Sequence, residues 1–107
     1  MQITQGTTPT ITINVKSDID LSNVTQVWVY IAQQNKVKVD KQIEDVSIDA
    51  QEKTITVRLE QDDTLELREG EALFQIRLLM ADTTALATNA QKITIVKVYK
   101  GGVIKSE

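Results

Sequence analysis

The chain contains neither cysteine nor histidine among its 107 residues. Without cysteine it can form no disulfide and offers no thiolate, and without both residue types it lacks the usual ligands of zinc. The serine–histidine and cysteine–histidine pairs that activate a nucleophile are excluded as well. The chemistry that remains open is that of carboxylates, of a Ser–Lys or Thr nucleophile, and of oxygen-ligated calcium or magnesium.

Aromatic residues are also few, with one Trp, two Tyr and one Phe. Four rings are too few for a sugar platform and a catalytic cleft together, although carboxylate pairs for glycoside hydrolysis can come from distant segments. No serine lies in a known nucleophile motif, and the glycines form no phosphate-binding loop. We therefore expect no enzymatic activity and no cofactor, and a carboxylate hydrolase remains the less favoured alternative.

The sequence has no excess of basic residues and no long apolar run. Its net charge is −3, and lysines are interspersed with glutamates, so we expect no binding to nucleic acid or to anionic lipid. The first ten residues, MQITQGTTPT, lack the features of a signal peptide. Apolar stretches such as residues 78–81 are far shorter than the roughly 20 residues of a membrane-spanning helix. These features predict a soluble protein.

About a third of the residues are Thr, Val or Ile, which favour β-strands. Apolar residues recur at every second position in six runs, namely residues 11–15, 27–31, 36–41, 55–59, 72–80 and 86–99. The last run is apolar on both faces, which predicts a long strand that bends or changes partner. With a short strand before residue 54, the pattern predicts a single antiparallel β-sandwich of about seven strands over residues 1–99. Residues 100–107 are expected to form a short, loosely held tail.

The polar N-terminal arm, residues 2–8, precedes the first of these runs. It is predicted to form the first strand of the same domain. The alternative is that it adds a strand to the sheet of a neighbouring molecule.

The stretch QDDTLELREGEALFQIRLLM, residues 61–80, begins with a cluster of carboxylates. These are Asp62, Asp63, Glu66, Glu69 and Glu71. A calcium loop of the EF-hand type starting at Asp62 would need Gly where Leu67 stands and Glu where Leu73 stands. The cluster is therefore predicted to be a solvated turn. It would contain one helical turn over residues 62–67 with a capping Asp, followed by a tight turn at Gly70. We expect Leu65 and Leu67 to reach into the core.

A second acidic loop, residues 45–52, is predicted to form a short strand and a turn. The alternative is a weak calcium site in which Asp49 or Glu52 acts together with the first acidic loop. We expect no metal, because few ligands would converge from two such loops.

Trp28 and Tyr30 alternate with apolar residues within the run 27–31. If Val27, Val29 and Ile31 face the core, the two rings lie together on the opposite face of the sheet. Leu73 and Leu79, from a neighbouring strand, would then extend an exposed patch for contact with protein or sugar. The alternative is that Trp28 is buried in the core of the sandwich, or that a loop covers both rings.

Several segments resemble those of a known group of proteins. They are Q-G-T-T-P-T-I-T-I, D-L-S-N-V before a V-x-V-x-I strand, T-I-T-V-R-L-E-Q-D-D-T-L, E-A-L-F-Q-I-R-L-L, and A-L-A-T-N-A-Q-K-I-T-I-V-K-V before G-V-I. Together they are similar to small proteins encoded among the tail and baseplate genes of phages and prophages of Gram-positive bacteria. The resemblance covers nearly the whole chain, but its motifs are structural and carry no catalytic residue.

This resemblance implies an immunoglobulin-like sandwich and a structural or accessory role. The implied partners are phage structural proteins or further copies of the chain, in the virion or in the host cytoplasm before assembly. The sequence thus predicts a non-enzymatic protein-interaction module. The alternative function is a carbohydrate- or receptor-binding module that uses Trp28 and Tyr30.

Overall fold

The computed structural model describes residues 1–16, 18–88 and 90–105, and within these ranges the chain forms nine strands, one short α-helix and two 3-10 turns. The strands are β1 (Gln2–Thr4), β2 (Thr10–Asn14), β3 (Val24–Gln33), β4 (Lys36–Gln42), β5 (Val46–Asp49), β6 (Thr54–Arg58), β7 (Gly70–Met80), β8 (Ala85–Ala87) and β9 (Gln91–Val96). The helix α1 spans Gln61–Leu65, and the 3-10 turns span Leu21–Asn23 and Ile43–Asp45. No helix in the described ranges is long and apolar enough to cross a bilayer.

The strands form two sheets that enclose one core. The larger sheet has the order β1-β9-β7-β3-β4, with β8 also paired to β7, and the smaller sheet has the order β2-β6-β5. The predicted all-β sandwich is thus confirmed, with nine strands in the described part of the chain where about seven were expected. The strand pairs are antiparallel as expected, with one addition, because β1 runs parallel to β9. The N-terminal arm therefore pairs within its own domain, as predicted.

The last predicted strand is interrupted. Instead of one run over residues 86–99, β8 and β9 both pair with β7, so the chain does not change partner. The register differs by one residue between the two pairings, and the hydroxyl of Thr88 accepts a hydrogen bond from the Ile76 N–H at 3.1 Å between them. The ladder ends at Val96, where Gln5 accepts the N–H of Val98 instead of a strand partner. Residue 89 of this predicted strand lies outside the described residues.

The core is built from the inward-facing residues of both sheets. Its buried apolar side chains are Ile3, Ile11, Leu21, Val27, Val29, Ile31, Val39, Ile55, Val57, Leu59, Leu67, Ala72, Phe74, Ile76, Leu78, Ile93 and Ile95. The period of two along each strand places these side chains between the sheets, where removal from water stabilises the fold. Val27, Val29 and Ile31 are among them, which confirms the predicted orientation of β3.

The acidic stretch forms the corner between β6 and β7. The helical turn α1 is present as predicted, but its N-cap is Glu60, and Asp63 closes the turn by accepting the Glu60 N–H at 2.7 Å. Leu67 is buried as expected, whereas Leu65 is only half-buried. Gly70 follows with φ of 126°, a conformation that other residues rarely adopt.

The buried side chain of Gln33 fixes the corner against the larger sheet. Its amide donates to the carbonyl of Arg68 and accepts the Arg68 N–H, both at 2.8 Å. A side chain thus replaces the backbone partner that this turn lacks. Beyond β9, Gln61 binds the backbone of Ile104 in the same two-sided way, at 2.7 and 3.1 Å, so the described part of the tail touches α1.

Candidate functional site

The two outward faces of the sandwich differ in chemistry. The outward side chains of the smaller sheet are polar, namely Thr10, Thr12, Asn14, Ser47, Asp49, Thr54, Thr56 and Arg58. The outward face of the larger sheet instead carries exposed apolar side chains from β3, β4 and β7. These are Trp28, Val37, Leu73 and Leu79. Because a polar face is well solvated by water, the larger sheet has the one of these two outward faces, as far as the structure describes them, that gains by being covered.

Trp28 is the centre of this surface. It leaves 46% of its area exposed and lies directly opposite Arg77, its cross-strand neighbour on β7. The guanidinium carbon of Arg77 is 5.1 Å from the centre of the indole ring, within the range of a cation–π interaction. The prediction that Trp28 faces solvent is confirmed, and one face of its ring is occupied by an arginine.

Tyr30 is less available for contact with a partner than the alternation of the sequence predicted. Its ring is half-buried, and its hydroxyl donates a hydrogen bond to the side-chain oxygen of Gln75. The amide of Gln75 in turn donates to the Thr88 carbonyl at 2.8 Å. Tyr30 therefore lies on the predicted face, but its polar end is bound within the sheet.

A shallow groove of about 410 Å³ lies beside Trp28. We call it the Trp28 groove, and its outward lining is formed by Gln26, Trp28, Gln42, Arg77, Leu79 and Ala85. Leu79, which is 37% exposed, lies opposite Gln26 and supplies the apolar end. The groove therefore combines an aromatic ring and an aliphatic side chain with three polar side chains that can form hydrogen bonds.

Leu73 does not belong to the Trp28 groove. It pairs with Ala32 on β3, four residues from Trp28 and hence about 13 Å along the strand. Ala32 pairs on its other side with Val37, which is 57% exposed. The structure thus joins Leu79 to Trp28 as predicted, and places Leu73 in a separate apolar spot with Val37.

The exposure of Val37 was not predicted, because the sequence K-V-K-V indicates that Val37 and Val39 share one face of the strand. The register shows otherwise, since Ile31 pairs with Val39 and the next residue, Ala32, pairs with Val37. Lys38 is therefore an extra residue in β4, a β-bulge that turns Val37 outward. Nothing in the local sequence marks this bulge.

Two carboxylates of the acidic corner, Asp63 and Glu71, have structural contacts. Asp63 caps α1 and also binds the ammonium of Lys41 at 2.8 Å, and Glu71 lies 3.9 Å from Lys92 on the exposed surface. In the other acidic loop, Asp49 accepts the N–H groups of Gln51 and Glu52. Within the residues that the structure describes, no three acidic side chains are close enough together to hold a metal ion.

Two exposed aspartates at one end of the sandwich have perturbed acidity. Hydrogen bonds from the side chain and the backbone N–H of Ser22 lower the pKa of Asp20, and those of Thr84 lower the pKa of Asp82. Both carboxylates thereby fix turns, at the start of the first 3-10 turn and between β7 and β8.

No model of a known protein family matches the chain, and no curated protein is similar to it in sequence. The interpretation of the Trp28 groove therefore rests on its geometry.

Proposed function

We propose that the protein is a non-enzymatic interaction module of a phage or prophage tail or baseplate, and that it binds another virion protein through the outer face of its larger sheet. The observation that carries this proposal is the contrast between the two outward faces. One is uniformly polar, and the other exposes Trp28 and Leu79 around a groove. Exposed apolar residues gathered on one face and surrounded by polar ones are typical of protein-interaction sites.

The chemistry of the groove also indicates what the partner brings. Trp and Arg are the residue types that most often dominate the binding energy of protein interfaces. Among the described residues, no carboxylate lies within salt-bridge distance of Arg77. The proposed partner therefore inserts an apolar side chain beside Trp28 and places an Asp or Glu against Arg77.

The strand order supports the immunoglobulin-like fold that the resemblance implies. The orders β9-β7-β3-β4 and β2-β6-β5 follow the G-F-C-C′ and B-E-D orders of variable-type immunoglobulin domains. One feature departs from those domains, because their tryptophan on strand C is buried and Trp28 on β3 faces outward.

Sugar binding by Trp28 and Tyr30 is less well supported than protein binding. A sugar stacks on an open aromatic face, and Arg77 already covers one face of Trp28. The hydroxyl of Tyr30 is bound to Gln75. A carbohydrate would have to compete with both contacts, whereas a protein side chain can bind at the groove edge without displacing them.

Calorimetric titration tests the proposal. Each protein encoded by the neighbouring tail and baseplate genes is purified and titrated with the wild type, with Trp28→Ala, and with Thr56→Ala on the polar face as the control. We expect one of these proteins to bind, Trp28→Ala to weaken binding about 30-fold or more, and Thr56→Ala to leave it unchanged.

Host cell-wall polysaccharide is titrated in parallel. Binding of the polysaccharide that depends on Trp28, with no binding of the virion proteins, would replace the protein partner by a sugar. Unchanged affinity of Trp28→Ala for a bound virion protein would remove the groove from the interface.

A further inference from the structure

The described part of the sandwich has five edge strands, β1, β2, β4, β5 and β8, and four of them are protected against pairing with another chain. The edge strand β4 carries lysines and the bulge at Lys38, which interrupts its ladder. β1 and β8 have three residues each. β5 has four residues, follows Asp45 and ends in the turn at Asp49. Short length, bulges and charge are the usual means by which natural proteins blunt sheet edges.

The fifth edge, β2, has none of these protections. Its five residues, T-I-T-I-N, carry no charge and pair with β6 in an uninterrupted register. Pro9 precedes the strand and does not break it. β2 is thus a regular, neutral edge, and such edges are templates for a further strand.

The backbone groups that face this edge can be identified from the pairing with β6. The N–H of Leu59 donates to Pro9 and the N–H of Val15 donates to Lys53, both at 2.9 Å, so the odd-numbered residues of this segment bond to β6. Antiparallel ladders alternate, so the N–H and C=O groups of Thr10, Thr12 and Asn14 point outward. Within the described residues, none of these groups has a backbone partner.

The space beside β2 is apolar as well. A cleft of about 440 Å³ opens between the two sheets along this edge. Ile13, Val15 and Leu86 line it and are only half-buried. An additional strand on β2 would cover these side chains and remove them from water.

We propose that β2 is the interface between two copies of the chain, which pair their β2 strands antiparallel across a two-fold axis at Thr12. This register places Thr12 opposite Thr12 of the second copy, Thr10 opposite Asn14, and Ile11 opposite Ile13. All three outward N–H groups of each copy then find carbonyl partners, and the two smaller sheets become one continuous sheet.

The self-complementary register is the reason to favour a second copy over an unrelated peptide. The hydroxyl of Thr12 faces the same group of the second copy, and the hydroxyl of Thr10 faces the amide of Asn14. The isoleucines face each other beside the cleft, and no like charges meet. The two Trp28 grooves stay on the other layer of the sandwich and remain accessible. The dimer is therefore independent of the proposed function, and it would present the groove twice.

Disulfide trapping tests this register, because the chain has no cysteine of its own. In the proposed dimer the two Thr12→Cys residues form a hydrogen-bonded pair with Cα atoms about 5.5 Å apart, within the range of a disulfide. Ser47→Cys, in the same row of the sheet but on β5, is the matched control. With oxidised glutathione, we expect Thr12→Cys to form a covalent dimer rapidly and Ser47→Cys to remain mostly monomeric. Equal rates for the two variants would overturn the proposal.

Charge variants give a second, reversible test. Thr12→Lys places two ammonium groups against each other, and Thr12→Glu places two carboxylates there, so each variant alone should weaken the dimer about tenfold or more. An equimolar mixture should restore dimers that contain one copy of each. A wild type that stays monomeric in light scattering at every concentration, or variants that dimerise like the wild type, would overturn the proposal.

Discussion

Arg77 and Trp28 face each other across β7 and β3, and the guanidinium carbon lies 5.1 Å from the centre of the indole ring. Both side chains project from the middle of long strands, so the sheet fixes their positions. The arginine partly covers the ring and keeps a cation at the edge of the Trp28 groove. A fixed aromatic ring beside a cation can bind a partner with little loss of side-chain entropy.

Removal of this cation should loosen the tryptophan without disturbing the core. We expect Arg77→Ala to lower the free energy of unfolding by about 0.5–1 kcal/mol, the size of an exposed cation–π contact. Acrylamide should quench the Trp28 fluorescence more strongly in this variant, since the covered ring face becomes accessible. Arg58→Ala, which removes an exposed arginine from the smaller sheet, should leave the quenching unchanged. Equal quenching in Arg77→Ala and the wild type would contradict the role of Arg77.

Gln33 holds the Arg68 backbone by two hydrogen bonds. Its substitution should therefore lower the free energy of unfolding more than substitution of most other polar residues. Gln33→Leu leaves both the N–H and the C=O of Arg68 without their partner in a part-buried corner. A fully buried group left unsatisfied costs about 1–3 kcal/mol, so we expect a loss of about 1 kcal/mol or more here. Urea denaturation should show this loss, and hydrogen exchange of the Arg68 amide should accelerate. Gln51→Leu, at an exposed turn, serves as the control. If Gln33→Leu is as stable as that control, water must satisfy the freed N–H and C=O groups of Arg68 instead.

Asp63 has two contacts, and two substitutions separate them. Asp63→Asn keeps an oxygen that can accept the Glu60 N–H but loses the charge that pairs with Lys41. Asp63→Ala loses both contacts. We expect Asp63→Ala to be less stable than Asp63→Asn by about 1 kcal/mol, the usual effect of a helix cap. Chemical denaturation of both variants measures the difference, and identical stabilities would show that the capping bond contributes nothing.

The lowered pKa values of Asp20 and Asp82 predict a loss of stability in acid. Hydrogen bonds from Ser22 and Thr84 favour the ionised form in the folded state, so each folded pKa lies below the unfolded value near 3.8. The stabilisation is fully present above that unfolded value and is lost as pH falls through the lower, folded pKa. Thermal unfolding from pH 6 to pH 2 should therefore depend less on pH in the Asp20→Asn/Asp82→Asn double variant. An unchanged dependence would mean that other carboxylates are responsible.

The larger features of this fold are predictable from the sequence because β-strands have a simple period. The alternation of Val27, Val29 and Ile31 correctly predicted both the core and the outward position of Trp28. The position of Leu79 on the same face as Trp28 was predictable for the same reason, although the arginine on the ring was not. Contacts across strands require the register, and the register is set by the whole sandwich.

The errors lie where the backbone departs from the regular pattern. The bulge at Lys38 moved Val37 to the outer face, and the irregular pairing near Thr88 split the last predicted strand into two. Both are single-residue shifts that leave no mark in hydrophobicity. The parallel pairing of β1 with β9 joins the two ends of the domain, and local sequence carries no information about such a contact.

The proposed docking role of the Trp28 groove can be tested at the tryptophan itself, because Trp28 is the only tryptophan in the chain. The protein is labelled with 5-fluorotryptophan, so that it gives a single ¹⁹F resonance, and is titrated with the purified virion protein that binds it in calorimetry. If the groove is the docking site, the resonance shifts or broadens in step with binding, and Arg77→Ala weakens the response. If the partner binds while the resonance keeps its position and width, the partner docks elsewhere and the Trp28 groove is not the interface.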